Sequence, residues 1–153
     1  MIYIAHRGLF NGPNPLLENN PEQVEEAIRQ GYQCEVDLWI DDGLKLGHDD
    51  AQYSINESWL NDSMWIHAKN IEALLWLTST KHKFFWHEVD QFTLTSNGYI
   101  WSFPGCKLTE HSIMVMPEHT DITLENTRQV NCYGICSDFI NKIKEKNENS
   151  SMW

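Results

Sequence analysis

Between residues 2 and 87 the sequence switches repeatedly from short apolar runs to capped amphipathic segments, and this alternation restricts the fold more than any other feature. Ile2–Ala5 is an apolar run of strand length that ends at His6-Arg7-Gly8. A loop rich in Gly, Pro and Asn follows. Asn20 and Pro21 then supply a helix cap and a first helical residue, with Glu22 and Glu25 near the positive helix end. Val24, Ala27 and Ile28 form one apolar stripe, and Gly31 ends the helix. Tyr32–Ile40 predicts a second strand, closed by the turn Asp41-Asp42-Gly43. Leu44–Leu46 predicts a short strand leading to Gly47-His48-Asp49, and residues 50–63 read as an irregular polar loop. Met64–Lys69 is the next strand, Asn70 caps a helix over Ile71–Leu77, and Phe84–His87 is a further strand. Strands alternating with helices predict an α/β fold with a largely parallel sheet. Chemistry in such folds collects at the carboxyl ends of the strands, where His6, Asp37, His48, Lys69 and His87 all fall.

Beyond residue 87 the pattern changes. Phe92–Thr95 and Tyr99–Phe103 flank Asn97-Gly98, the signature of a hairpin. Ser112–Met116 and Tyr133–Cys136 predict two more strands, and Asp138 is placed to cap a last helix running to about Lys144. With no repeat or linker, residues 1–145 are expected to form one domain and residues 146–153 a polar tail.

Lys and Arg total 11 against 22 Asp and Glu, a formal charge of −11. Such a surface repels nucleic-acid phosphates and anionic membranes, so neither is an expected partner. No window approaches the roughly 18 apolar residues of a membrane span. Cys34, Cys106, Cys132 and Cys136 form no Cys-x-x-Cys pair, and no signal peptide is recognisable. The expectation is a cytoplasmic protein with reduced thiols.

Glu35-Val36-Asp37-Leu38-Trp39-Ile40 is the most informative stretch for function. Alternate residues of a strand share a face, so Val36, Leu38 and Ile40 point one way and Glu35 and Asp37 the other. Two carboxylates side by side on an interior face are costly unless a cation neutralises them. Hard oxygen ligands suit Mg²⁺ or Ca²⁺. The competing reading is a strand with one solvated face.

In chain order the residues Ile4-Ala5-His6-Arg7-Gly8, Glu18-Asn19, Gly31-Tyr32, Glu35-Val36-Asp37, Asp42-Gly43 and His48-Asp49 look like a known signature. They resemble the N-terminal motif of the glycerophosphodiester phosphodiesterases, which belong with the phosphatidylinositol-specific phospholipases C. Tyr133-Gly134-Ile135-Cys136-Ser137-Asp138 is similar to that family's closing strand. The resemblance implies a TIM-barrel type of fold. It implies Glu35 and Asp37 as metal ligands, His6 and His48 as the acid–base pair, Arg7 and Lys69 as phosphate-binding groups, and Glu18 as a supporting residue. The chain departs from the pattern at His67, which stands where the family has a glutamate. As a metal ligand His67 would turn the preference toward Mn²⁺ or Zn²⁺. It departs again in length: 153 residues fall short of the about 250 of a usual barrel, so a reduced or incomplete barrel is expected, with a homodimer as one way of completing it.

By position alone His87 is a candidate substrate-binding residue, with Glu88, Asp90 and Glu118 close to strand ends, whereas His82, His111 and His119 read as surface histidines. The expected activity is metal-dependent hydrolysis of a small, glycerophosphodiester-like substrate by two-histidine catalysis. The alternatives are a lyase that releases a cyclic phosphate, as in the sphingomyelinase D type, and a non-catalytic phosphate-binding module.

Overall fold

Strand and helix alternate along the chain as the sequence pattern dictates, in a computed structural model that describes residues 1–121 and 127–149. Strand β1 is Ile2–Ala5, helix α1 Pro21–Arg29, β2 Gln33–Ile40, β3 Leu44–Leu46, β4 Tyr53–Ile55 and β5 Met64–Ala68. Helix α2 is Ile71–Leu77, β6 Lys83–Phe85, β7 Phe92–Leu94, β8 Ile100–Ser102, β9 Ser112–Val115, β10 Gly134–Ser137 and α3 Ile140–Asn149. The caps of α1 and α2 are the expected ones. The Asn20 side chain accepts from the backbone N–H groups of Glu22 and Gln23, and that of Asn70 from Ala73. Each such cap is worth about 1 kcal/mol.

The strands form one large mixed sheet. β1 lies between β10 and β2, both parallel to it. On one side the parallel run continues from β2 to β5 and β6, and on the other from β10 to β9 and β8. β3 and β4 extend β2 as antiparallel strands, and β7 pairs antiparallel with β8 across the Asn97-Gly98 turn. Among the described residues no ladder joins β6 to β8, so the sheet is not closed. Its two ends nonetheless meet, without a ladder between them. Phe85 of β6 stacks on Trp101 of β8 with centroids 4.5 Å apart, and Ser96 N–H donates to the Phe84 carbonyl at 2.8 Å.

Period-two alternation sorts each strand between two cores. One face of the sheet carries Val36, Leu38, Ile66 and Ile135 against Val24, Ala27, Ala73, Leu77, Ile140 and Ile143 of the helices. The other face gathers Ile4, Trp65, Phe85, Trp101, Ile113 and Cys136. Gly134 must be glycine on that inner face, because a Cβ there would run into Ile2 and Ile113. Glu35, Asp37 and His67 share the inner parity, Glu35 and Asp37 along the middle of β2 and His67 next to the last residue of β5.

Two expectations need correction. Residues 50–63 are not wholly irregular: Tyr53–Ile55 pairs with β3, a three-residue strand too short to show a period. Helix α3 continues to Asn149, so residues 146–149 are helix and not tail; Ile140, Ile143 and the half-polar contact of Asn147 tie it down. The remaining tail residues, 150–153, lie outside the described residues. No helix among the described residues is long and apolar enough to cross a membrane. The four cysteines are free thiols.

Candidate functional site

Two left-handed residues shape the entry to the site. Arg7 has φ 51° and Gly8 φ 79°, so the chain turns sharply after β1 and exposes the Arg7 N–H. That N–H donates to Glu35 Oε2 at 3.1 Å. A non-glycine residue in this region is uncommon and signals a constraint from the surroundings. Asn19, also left-handed with φ 57°, donates its own N–H to the Arg7 carbonyl at 3.0 Å. Its side chain then grips Asp37 twice: Nδ2 donates to Asp37 Oδ2 at 2.8 Å, and Oδ1 accepts the Asp37 N–H at 2.8 Å. Asn19 thereby serves the part of the β2 edge that β1 does not reach, and it is fully buried.

Glu35 and Asp37 are buried together on the inner face of β2, with His67 beside them on β5. Ligand-type atoms of the three lie within 4.8 Å of one another. His67 Nδ1 is 2.9 Å from Asp37 Oδ1 and 4.0 Å from Glu35 Oε1. The His67 ring packs against both Phe85 and His87, at centroid distances of 5.1 and 4.7 Å, and Nε2 lies 3.2 Å from the His87 carbonyl. With Nε2 donating to that carbonyl, Nδ1 is left to face the carboxylates, an orientation common to metal-binding imidazoles.

Around this trio stand two cations. The Arg7 guanidinium donates from Nη1 to Glu18 at 2.9 Å, and its buried Nε is 3.3 Å from Asp37 Oδ2 without hydrogen-bond geometry. Lys69 Nζ is 3.8 Å from Asp37 Oδ1. Burial would raise the Asp37 carboxyl, but the His67 hydrogen bond and the charges of His67, Arg7 and Lys69 hold it well below the usual range. Glu35 goes the other way. Burial and the neighbouring Asp37 charge push it up, against His6, Arg7 and His67.

His6 follows β1 directly, and its Nδ1 meets Asp138 Oδ1 at 2.8 Å. Burial would lower the His6 imidazole, yet the Asp138 hydrogen bond and the Glu35 and Asp138 charges, against Arg7, keep it above its usual value. Asp138 is itself held: Glu118 accepts from the Asp138 N–H at 3.1 Å and from the Ser137 hydroxyl at 2.8 Å. Asp138 is thus aimed at His6 and not at the α3 N-terminus; the Ser137 hydroxyl takes the Phe139 N–H instead. His48 is half-exposed, with Nδ1 2.7 Å from Asp49 Oδ1. Its turn is anchored by Trp39 Nε1–H donating to the Gly47 carbonyl at 2.7 Å.

His6, Arg7, Glu35, Asp37, His48 and His67 all line one cavity of about 590 Å³, together with Lys69 and His87. That is the size of small-molecule sites, roughly 300–1,000 Å³. Of the residues nominated from the sequence, Glu18 reaches the cavity through Arg7, Glu118 does not line it, and the others border it; His119, expected at the surface, borders it as well. Burial by itself, then charges from His67 and Lys69, lower the His87 imidazole, opposed by the Glu88 backbone and Asp90. Sequence reasoning missed Asn19 and Asp138 as site residues. Each belongs to a quoted motif, Glu18-Asn19 and Ser137-Asp138, and that membership was the available signal.

Comparison with protein-family models, with curated proteins and with solved structures finds no match to this chain. The chemistry of the site therefore rests on its own geometry.

One consequence concerns the metal-free chain. An acid whose folded value is raised favours the folded state while protonated, so stability is lost as pH rises from its unfolded value, about 4.5, toward the folded one. His6, also raised, contributes stability present below about 6.5 and lost above it. Asp37, lowered, contributes above about 3.8 and is lost below it. A chelated sample should therefore melt at higher temperature at pH 5 than at pH 7. Glu35→Gln should flatten that slope, as read by thermal denaturation across pH; an unchanged slope would place Glu35 outside the effect.

Proposed function

We propose that this chain is a divalent-metal-dependent phosphodiesterase acting on a small, glycerophosphodiester-like substrate, built on an incomplete (β/α) barrel. The observation that carries the reading is the convergence of Glu35, Asp37 and His67 within 4.8 Å at a cavity that is also lined by Arg7, Lys69 and four further imidazoles. The sheet order supports the barrel. The parallel strands follow in the cyclic order β1, β2, β5, β6, then β8, β9, β10 and back to β1, with one place open between β6 and β8. The motif order from His6 to Asp49 supports the activity.

The residues fit a divalent cation. Two buried carboxylates and an imidazole nitrogen converge, and Glu35 meets a backbone N–H and, at 4.0 Å, the His67 imidazole in place of a close Arg or Lys partner. The oxygens suit Mg²⁺ or Ca²⁺, while the imidazole admits Mn²⁺ or Zn²⁺. A cation bound there supplies Lewis-acid polarisation of a phosphoryl oxygen. Arg7 and Lys69 offer positive charge to the remaining phosphate oxygens from the cavity wall. With Nδ1 of His6 committed to Asp138, Nε2 is the nitrogen free to exchange a proton with substrate. His6 and His48 then divide two tasks, taking the proton of the attacking water and giving one to the departing alcohol.

Hydrolysis of bis-p-nitrophenyl phosphate by chelated enzyme, followed after re-addition of Mg²⁺, Mn²⁺ or Ca²⁺, tests this. A rate restored by one of the ions is expected, and equal rates with and without metal would sink the proposal. Phosphorus NMR of the products from a glycerophosphodiester should show an acyclic monoester; a cyclic ester would assign the lyase reaction to the same site.

A further inference from the structure

The cavity is polarised by strand. Its two basic side chains and its three metal-type ligands come with His6 from the β1, β2 and β5 side, in Arg7, Lys69, Glu35, Asp37 and His67, while Glu88 and Asp90 after β6 and His119 after β9 add polar groups elsewhere on the lining. The opposite wall, from β8 and β9, offers Trp101, Phe103, Pro104, Val115 and Met116. A phosphate held over the charged side would project one of its ester groups across this second wall.

The apolar wall is built firmly. Trp101 is buried and stacked on Phe85, closing the gap between β6 and β8. The Phe103 N–H donates to the Gln91 carbonyl at 2.9 Å, tying the end of β8 back toward β7. Met116 is left-handed, with φ 46°, and its N–H donates to the Cys136 carbonyl at 2.8 Å, which turns the chain over the cavity at the end of β9. Such strain in a non-glycine residue persists only where neighbours impose it, and it clusters at ligand sites. Phe103 is the outlier in exposure: 51% of a large aromatic side chain is open although it borders a cavity. A flat apolar group laid on it would cover it, and the loop from β8 to β9 carries no helix that could.

Resting on the phosphodiesterase reading above, we propose that the β8–β9 wall is a subsite for an apolar, ring-bearing ester group of the substrate, with Phe103 as a specificity-determining residue. The ligand class is a phosphodiester joining a small polar alcohol to an apolar ring-bearing one. The polar ester faces the charged half of the cavity, and the ring lies on Phe103 between Pro104 and Val115.

The test compares phenyl p-nitrophenyl phosphate with methyl p-nitrophenyl phosphate, which share a leaving group. The phenyl-to-methyl ratio of kcat/KM should fall about tenfold in Phe103→Ala, the scale on which apolar pockets discriminate. Phe103→Tyr, which keeps the ring, should restore it. Equilibrium binding of phenyl phosphate against methyl phosphate, read by tryptophan fluorescence with the metal present, runs in parallel and should show the same loss of preference. A ratio that does not change on truncation, in turnover and in binding alike, overturns the subsite. No metal-dependent turnover with the phenyl preference in binding intact strikes the catalytic reading and leaves the subsite standing.

Discussion

The Asp37→Asn chain should lose about 3–5 kcal/mol of stability, the scale for breaking a buried ion network by removing one member. It should also show no thermal shift on adding Mg²⁺ or Mn²⁺. Asp37 is 1% exposed, and both of its oxygens already accept. Oδ1 faces His67 Nδ1 at 2.9 Å, and Oδ2 takes the Asn19 amide at 2.8 Å with Arg7 Nε at 3.3 Å. An amide has one oxygen. Turned one way, its NH₂ group meets the Asn19 amide donor and leaves it unpaired; turned the other, it faces His67 Nδ1 and is satisfied only where that nitrogen carries no proton. The charge is lost as well, leaving Arg7, Lys69 and any proton on His67 facing Glu35 and Glu18 alone. Urea denaturation reads the first effect, and a metal titration followed by melting temperature reads the second. A near-native midpoint together with a retained metal shift would show that Asp37 is neither the electrostatic centre of the site nor a ligand.

The difference between Asp37 and Glu35 also explains which parts of the site the sequence could disclose. Alternation along β2 placed both carboxylates on one inner face because a strand has period two, and the coordinates agree. His67 follows from the same logic on β5, which pairs in parallel with β2 so that Asp37 lies beside His67 in register. What the pattern could not carry was contact between distant segments. Asp138 lies 132 residues from His6, and only the β1–β10 pairing brings them together. Asn19 sits in a loop without periodicity, and its role depends on a left-handed backbone that sequence alone does not mark. β4 escaped because three residues cannot display alternation, and the reach of α3 escaped because its polar turns resemble a solvated tail. Length led to the expectation of a reduced or incomplete barrel but did not say where the sheet would stay open, which is between β6 and β8. Nor did it say how that place is filled, since Phe85 on Trp101 is a meeting of two edges that share no ladder.

That long-range link supports the second large expectation. His6→Ala should lower kcat by about 10²–10⁴, the usual worth of a positioned proton-transfer group. Asp138→Asn should lower it too, although Asp138 is a positioning residue and acts through the imidazole. Its carboxylate fixes His6 Nδ1 at 2.8 Å, and its own N–H is held by Glu118 at 3.1 Å, so the ring has one orientation with Nε2 toward the cavity. An asparagine can turn its NH₂ toward Nδ1 and so favour the tautomer with the proton on Nε2, which can no longer accept one. The decisive measurement is the double variant. Residues that act as a unit are non-additive, so His6→Ala with Asp138→Asn should be about as slow as His6→Ala alone. If the two losses multiply, Asp138 reaches the reaction by another route and His6 stands without its orienting partner. If His6→Ala retains full activity, the proton traffic belongs elsewhere in the cavity, with His48 and His87 as the imidazoles left to carry it.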